Sequence, residues 1–271
     1  MKPEKILFIT QEIAPYVPST PMSDLGHKLP QLLQEGGRQV RTFMPRWGNI
    51  NERRNQLHEV IRLSGMNIII DDTDHTLIIK VASIPSTHVQ VYFIDNDDYF
   101  HHRLMLTDEN GNEYADNAER AIFYARGVLE TVKKLRWIPD VIHCHGWMSA
   151  FAPIFIRTAF HDDPPFHDAK IVFSAYGNAP TLTPPANLID AIAFRSLNKK
   201  KLEGFDIDYT SPNALAQLAV AFSDGFIQAE EGAAPDVMKY AAEKGLPTLA
   251  FPGEENTKQA YSDFYESLFT E

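Results

Sequence analysis

The sequence predicts an α/β fold: a single domain with a mostly parallel sheet, helices on both faces and a β-rich insertion. Three observations predict it. Short, wholly apolar runs recur along the chain, as expected of strands buried on both faces. Most of these runs are separated by segments whose apolar residues repeat at spacings of three and four. Hydrophobic residues make up 44% of the 271 positions, enough to fill a sizeable core and to exclude disorder of the whole chain.

Residues 5–10 (Lys-Ile-Leu-Phe-Ile-Thr) read as a buried parallel strand that enters a loop holding Pro15, Pro18 and Pro21. Leu25, Leu29, Leu32 and Leu33 then recur at helical spacing, and Gly36-Gly37 ends that helix. A second strand at 40–44 stops at Pro45, which completes a βαβ opening. Strand-like runs at 66–70, 77–84 and 89–94 follow with no helix between them, and these form the insertion. Residues 117–135 make a strong helix with Ala121, Tyr124, Ala125, Val128, Leu129 and Val132 on one face. A strand at 141–145, a helix at 151–160 and a strand at 171–175 come next, then a Pro/Thr-rich loop at 177–185. Helical patterns near 188–197 and 214–222 precede a strand at 225–229, a helix at 235–244 and a strand at 248–251. Residues 257–269 read as a last amphipathic helix, with Ala260, Tyr261, Phe264, Tyr265, Leu268 and Phe269 on one stripe.

The formal net charge is −11, from 25 basic and 36 acidic residues. That balance excludes a nucleic-acid or anionic-membrane binder with a broad basic footprint, although a local basic pocket for a phosphate remains compatible with it. Cys144 is the one cysteine, so no internal disulfide forms and a reducing cytoplasm is the expected compartment. The first apolar run is far shorter than the roughly 18 residues of a membrane span, and it lacks the three-part form of a signal peptide.

Ligands of open α/β sheets bind beyond the carboxyl ends of the strands. Three segments qualify: the loop 11–23, His143-Cys144-His145-Gly146-Trp147, and Ser174-Ala175-Tyr176-Gly177-Asn178. His143 and His145 alternate along a strand and therefore share a face. They are either metal ligands or one packed core histidine beside one near the cleft. No acidic or Cys/His partner stands at ligand spacing, which favours the second reading, with no metal and no cofactor. Cys144 points the other way and reads as an inert buried thiol. Asp116, Asn117 and Arg120 open the long helix, where Asp116 or Asn117 can cap it and Arg120 either faces a ligand or carries a surface charge. His101-His102-Arg103 and Lys199-Lys200-Lys201 read as charge clusters in loops, each a solvated face rather than a binding site.

These segments resemble a known family. Residues 5–16 resemble the opening of bacterial glycogen and plant starch synthases, a strand followed by Ser-Glu-x-x-Pro. Asp24 with Leu29-Pro30, the stretch from Gly36 to Pro45-Arg46, Asp116-Asn117-Ala118-Glu119-Arg120, and Pro139 to Trp147 with Ala152-Pro153 resemble further family segments in the same order. The resemblance spans most of residues 1–177. It implies a Rossmann-like GT-B N-terminal domain, the acceptor side of a retaining, metal-independent glucosyl transfer from ADP-glucose to an α-1,4-glucan. It also implies a cleft at Glu12, Asp24, Asn117, Arg120, His145, Trp147 and Tyr176, with an α-glucan or sugar nucleotide as ligand.

The sequence departs from the family where its chemistry lies. The family's Lys-Thr-Gly-Gly-Leu, which approaches the donor diphosphate, is Pro18-Ser19-Thr20-Pro21-Met22 here. Its His-Asp-Trp is His145-Gly146-Trp147, and its Thr-Val-His-Asn falls on Ser174-Ala175-Tyr176-Gly177. Family enzymes are roughly twice as long, as two domains of typical size require. The expectation is therefore one domain over 1–271 that ends in its own docked helix and reads as a finished protein. It has no catalytic residue of its own and is inactive as an isolated chain. The alternative is a non-catalytic binding or regulatory protein. A separate chain carrying the C-terminal domain, or a homodimer, is the expected partner, and the loops 15–21 and 180–185 are expected to wall off the cleft.

Overall fold

The structure is a computed structural model that describes residues 2–70, 72–177, 183–205 and 207–270. The loop segment 178–182, with Asn178 and Pro180, lies outside the described residues. The strands are β1 (Lys5–Ile9), β2 (Gln39–Pro45), β3 (His58–Glu59), β4 (Met66–Ile70), β5 (Thr73–Ser83), β6 (Gln90–Asp95), β7 (Val141–His145), β8 (Lys170–Ala175), β9 (Gly225–Gln228) and β10 (Thr248–Leu249). The helices are α1 (Pro21–Glu35), α2 (Asn117–Leu135), α3 (Ala152–Arg157), α4 (Leu188–Ile192), α5 (Lys199–Glu203), α6 (Ala214–Ala221), α7 (Pro235–Glu243) and α8 (Thr257–Ser267).

The sheet runs β10-β9-β8-β7-β1-β2-β6-β5-β3, with β4 paired to β5 off this path. From β10 to β6 every pairing is parallel, and β1 lies between β2 and β7. The pairings of β5 with β3, β4 and β6 are antiparallel, which is the β-rich insertion. This is a Rossmann-like α/β architecture, and its one extra strand, β3, is too short for its alternation to have been read in the sequence.

Alternation along the central strands splits the core. Leu7, Ile9, Ile142, Cys144, Ile171 and Phe173 pack with α2, α3 and α6 on one face. Ile6, Phe8, Val141, Val172 and Ile227 pack on the other against Leu29 and Leu33 of α1 and Tyr261, Phe264 and Tyr265 of α8. Gly127 explains how closely the insertion sits on α2: a Cβ there would lie 3.0 Å from Leu77 Cδ1 and 3.2 Å from Ile94 Cγ2. The helix therefore tolerates the intrinsic penalty of a central glycine.

Four local expectations are corrected. The Lys199-Lys200-Lys201 cluster is not a loop but begins α5, capped by the Asn198 side chain accepting from Lys201 N–H. Arg103 is not a solvated charge: it pairs with Asp116, donates to Asp98 O at 3.0 Å and lies 4.3 Å over the Tyr114 ring. With its carboxylate engaged by Arg103, Asp116 makes no side-chain cap on α2, and neither does Asn117, whose amide turns inward. The last helix stops at Ser267, two residues early, and of its apolar stripe Tyr261, Phe264 and Tyr265 are buried while Ala260, Leu268 and Phe269 are half-buried.

Candidate functional site: the carboxyl edge of the sheet

Because β8, β7 and β1 are neighbours and parallel, the segments that follow them meet at one edge. Gln11 organises the meeting point. It is fully buried; its amide Nε2 donates to Glu12 Oε1 at 3.2 Å and approaches Met105 Sδ at 3.5 Å. Its Oε1 accepts from Met148 N–H at 3.3 Å, and its carbonyl accepts from Trp47 Nε1–H at 2.8 Å. Gly146, at φ +74°, makes room for this side chain: a Cβ there would lie 2.4 Å from Gln11 Oε1. Where the family resemblance places a carboxylate, this chain places a glutamine from the loop after β1.

The start of α1 is closed. Pro21 carries no N–H. Ser23 N–H donates to Thr20 Oγ1 at 3.0 Å, Thr20 N–H donates to Ser23 Oγ at 2.8 Å, and Asp24 N–H donates to Thr20 O at 2.9 Å. Thr20 Oγ1 in turn donates to Glu12 Oε2 at 2.6 Å, and Ser19 Oγ donates to Asp24 Oδ2 at 2.7 Å. Glu12 and Asp24 thus flank the same helix terminus, Glu12 buried and Asp24 exposed. Beside it lies a cavity of about 540 Å³ whose lining includes Asp24, Lys28, Glu230, Glu254, Phe251 and Tyr261.

His145 and Tyr176 are also brought together, both buried, with His145 Nδ1 2.6 Å from the Tyr176 hydroxyl. Tyr176 packs with Met22 and Ala229. Trp147 sits on the short 3₁₀ turn after β7, buried, with no hydrogen-bond partner for its indole nitrogen or for His145 Nε2. Asn117 and Arg120 belong to a different construction. Arg120 is wholly buried and donates to the carbonyls of Tyr99, Leu104 and Met105 and to Asn117 Oδ1, at 2.7–2.9 Å. Asn117 Nδ2 donates to Leu106 O at 2.8 Å. Together the two side chains hold the loop before α2, and Met105 carries that loop to Gln11. Burial, with the charge of Arg103, lowers the Arg120 pKa to about 10.

Behind the edge, sequence reasoning missed a buried polar layer. His143 Nδ1 lies 2.7 Å from the Tyr265 hydroxyl and its Nε2 lies 2.6 Å from Ser174 Oγ. The two histidine rings are 3.8 Å apart at their centroids. Among the described residues no group of three or more His, Cys, Asp or Glu is placed to hold a metal ion. Burial pushes the His143 pKa well below the usual value, the neighbouring His145 adding to it, and burial lowers His145 to about 3. Burial likewise pushes the Cys144 thiol up, which keeps it protonated and inert.

The buried imidazoles make stability depend on pH. The folded state holds both rings neutral, whereas imidazoles of the unfolded chain titrate near 6.5. Below that pH the unfolded chain binds protons the folded chain excludes, so stability is full above about pH 6.5 and falls as pH drops, by about 1.4 kcal/mol per pH unit for each histidine. The expected result of urea titrations between about pH 6 and pH 4 is a slope for His145→Gln shallower than wild type by roughly that amount. An unchanged slope would show that His145 already titrates normally in the fold.

The family described as starch synthase catalytic domain matches residues 5–250. The glycogen synthase of Chlorobium limicola is 37% identical over 173 residues, which cover 64% of this chain and 35% of that protein. The glycogen synthase of Chlorobaculum tepidum is 36% identical over 169 residues, 62% of this chain and 35% of that protein. The chain thus spans about a third of the length of the curated relatives it matches. In fold it is similar to the catalytic domain of starch synthase IV from Arabidopsis thaliana bound to ADP and acarbose, with a TM-score of 0.73 at 17% identity over 92% of this chain and 51% of that one. A family match over nearly the whole chain, on a Rossmann-like sheet with the expected segments at its carboxyl edge, means that this protein belongs to the starch synthase catalytic-domain family.

Proposed function

We propose that residues 1–271 act as the acceptor-side half of a glycogen/starch-synthase-type glycosyltransferase, and that this half neither holds a sugar nucleotide nor transfers glucose by itself. The observation that carries this reading is the closed start of α1. A helix N-terminus binds a diphosphate through free N–H groups and a positive field. Here Pro21 has no N–H, and those of Ser23 and Asp24 are taken by Thr20. The carboxylates of Glu12, Asp24, Glu230 and Glu231 surround the terminus with Lys28 as the nearby cation, a field that repels a nucleotide diphosphate. Tyr176, hydrogen-bonded to His145 and packed on Met22, fills space at the edge.

The same cavity supports a second reading, a non-catalytic α-glucan-binding or regulatory role. Hydroxyls and carboxylates from Ser19, Thr20, Asp24 and Thr257 beside the rings of Phe251 and Tyr261 suit a neutral polyhydroxylated ligand better than an anion. Glu12, Asp24, His145, Trp147 and Tyr176 are the residues proposed to shape the cleft, with Asn117 and Arg120 supporting its loop. A separate chain carrying a C-terminal-type domain, or a second copy, is the proposed partner, and the cytoplasm the proposed compartment. No described helix is long and apolar enough to cross a membrane.

Thermal melts with ADP-glucose, ADP and a maltooligosaccharide test both readings, because a ligand that binds only the folded state raises the melting point. The expected result is no shift with either nucleotide and no transfer of labelled glucose to glycogen. Transfer above a no-protein control that disappears in Glu12→Gln would overturn the first reading. A flat response to the maltooligosaccharide would overturn the second.

A further inference from the structure

The opposite edge of the sheet carries a second feature that the carboxyl-edge cleft does not use. A cavity of about 370 Å³ opens at the amino ends of β2 and β6, lined by Gln34, Gln39, Arg41, His88, Gln90 and Tyr92, together with Arg38, Val40 and Trp137. No carboxylate is in that lining, although the chain as a whole carries a net charge of −11. The two arginines differ. Arg38 is neutralised: it donates to Glu266 Oε1 at 2.7 Å and to Ser262 Oγ at 3.0 Å. Arg41 has no ion-pair partner among the described residues, and its one hydrogen bond is from Nη1 to the Tyr92 hydroxyl at 2.5 Å. Its buried Nε has no partner at all.

An arginine with five donors and a fixed positive charge is seldom left with one bond in a half-buried position. Arg41 is also held rigidly for a guest. Its guanidinium lies 5.7 Å from the Tyr92 ring centroid and 5.2 Å from that of Trp137, within cation–π range of both rings. The Tyr92 hydroxyl, having accepted from Arg41, keeps its own proton to donate. The amides of Gln39 and Gln90 and the exposed His88 ring complete a rim rich in donors, and Gln34 Nε2 donates to the His88 carbonyl at 3.5 Å. A guanidinium, a hydroxyl and amides are donors that suit the oxygens of a phosphate group.

We propose that this amino-edge cavity binds a phosphate group, either inorganic phosphate or the phosphate of a small phosphorylated sugar, with Arg41 as its principal contact. The site is independent of the cleft at the carboxyl edge, so its test does not depend on the function proposed above.

Titration calorimetry and thermal melts with inorganic phosphate and with glucose 1-phosphate, against sodium chloride at matched ionic strength, test it. Both phosphates are expected to raise the melting temperature beyond chloride. Arg41→Gln is expected to weaken the affinity tenfold or more. His88→Ala, at an exposed loop position, is expected to weaken it several-fold while leaving the ligand-free melting temperature unchanged. It also provides the readout should Arg41→Gln fail to fold. Equal affinities for the two probes identify free phosphate as the ligand, and a tenfold preference for glucose 1-phosphate identifies a phosphorylated sugar. No shift beyond chloride, or wild-type affinity in the folded variants, overturns the proposal.

Discussion

Replacing Tyr265 by alanine is expected to destabilise the fold by roughly 4–8 kcal/mol and to lower the melting temperature by about 10–30 °C. Tyr265 is fully buried between α8 and the sheet, in one cluster with Ile6, Phe8, Val141 and Val172. Truncating a large aromatic ring in such a place costs about 3–5 kcal/mol in lost transfer energy and cavity formation. Its hydroxyl is also the partner of His143 Nδ1 at 2.7 Å, and a buried imidazole nitrogen left unpaired adds about 1–3 kcal/mol. Tyr265→Phe separates the two effects, because it keeps the ring and removes only the hydroxyl. Its expected cost is the smaller, hydrogen-bond part alone. Deletion after Gly253 is the extreme case: it uncovers the sheet face that Tyr261, Phe264 and Tyr265 protect, against a total stability of about 5–15 kcal/mol for a typical domain. Chemical denaturation followed by circular dichroism measures all three. If Tyr265→Ala or the truncated chain melts with wild type, α8 contributes nothing to the fold.

Arg120→Ala is the second large effect, expected at about 3 kcal/mol or more, because each buried carbonyl left without a donor costs about 1–3 kcal/mol. The substitution strands the carbonyls of Tyr99, Leu104 and Met105, each of which accepts from this one guanidinium. It also removes the cation lying 5.3 Å from the Trp47 ring and 4.9 Å from the Tyr114 ring. Arg120→Lys should recover little, since a point ammonium cannot reach three carbonyls and an amide oxygen in one plane. Hydrogen exchange gives the distinguishing readout. Fast exchange confined to residues around 99–106 would place the loss in the loop, while global exchange would show that the loop is needed for the whole domain to hold. A variant as stable as wild type would rule out the clamp.

Much of the architecture was legible because local rules act on neighbouring residues. The apolar runs at β1, β2, β7 and β8 admit only strands buried on both faces, and the Leu25–Leu33 spacing admits only a helix. The alternation of His143, Cys144 and His145 correctly separated the two histidines from the thiol, which lies on the α2 face. The βαβ opening also placed the loops after β1, β7 and β8 at one edge before any coordinates were known. The closing of α1 was half visible: Pro21 and the lost glycines are in the sequence, whereas the Thr20–Ser23 box and its anchor on Glu12 depend on where the loop folds back.

What one strand does to another across a large sequence distance was not legible. Arg120 reads equally as a ligand contact or a surface charge until the 99–106 loop folds over it, because its three carbonyl partners are backbone atoms that carry no sequence signature. Tyr265 and His143 are 122 residues apart, and no spacing rule links them. Gln11 gave no signal as an organiser, since it acts by filling the space that Gly146 leaves open after β7. The family, the layered α/β sheet and the edge where its loops gather could be read from the residues alone, because motif order, periodicity and strand-end chemistry are local. Folding in three dimensions was needed to see that the edge is capped and carboxylate-lined, that Arg120 supports a loop, and that Arg41 has no ion-pair partner among the described residues. Each of those outcomes turns on which buried polar groups find partners, and the folded chain assembles those partners from distant residues.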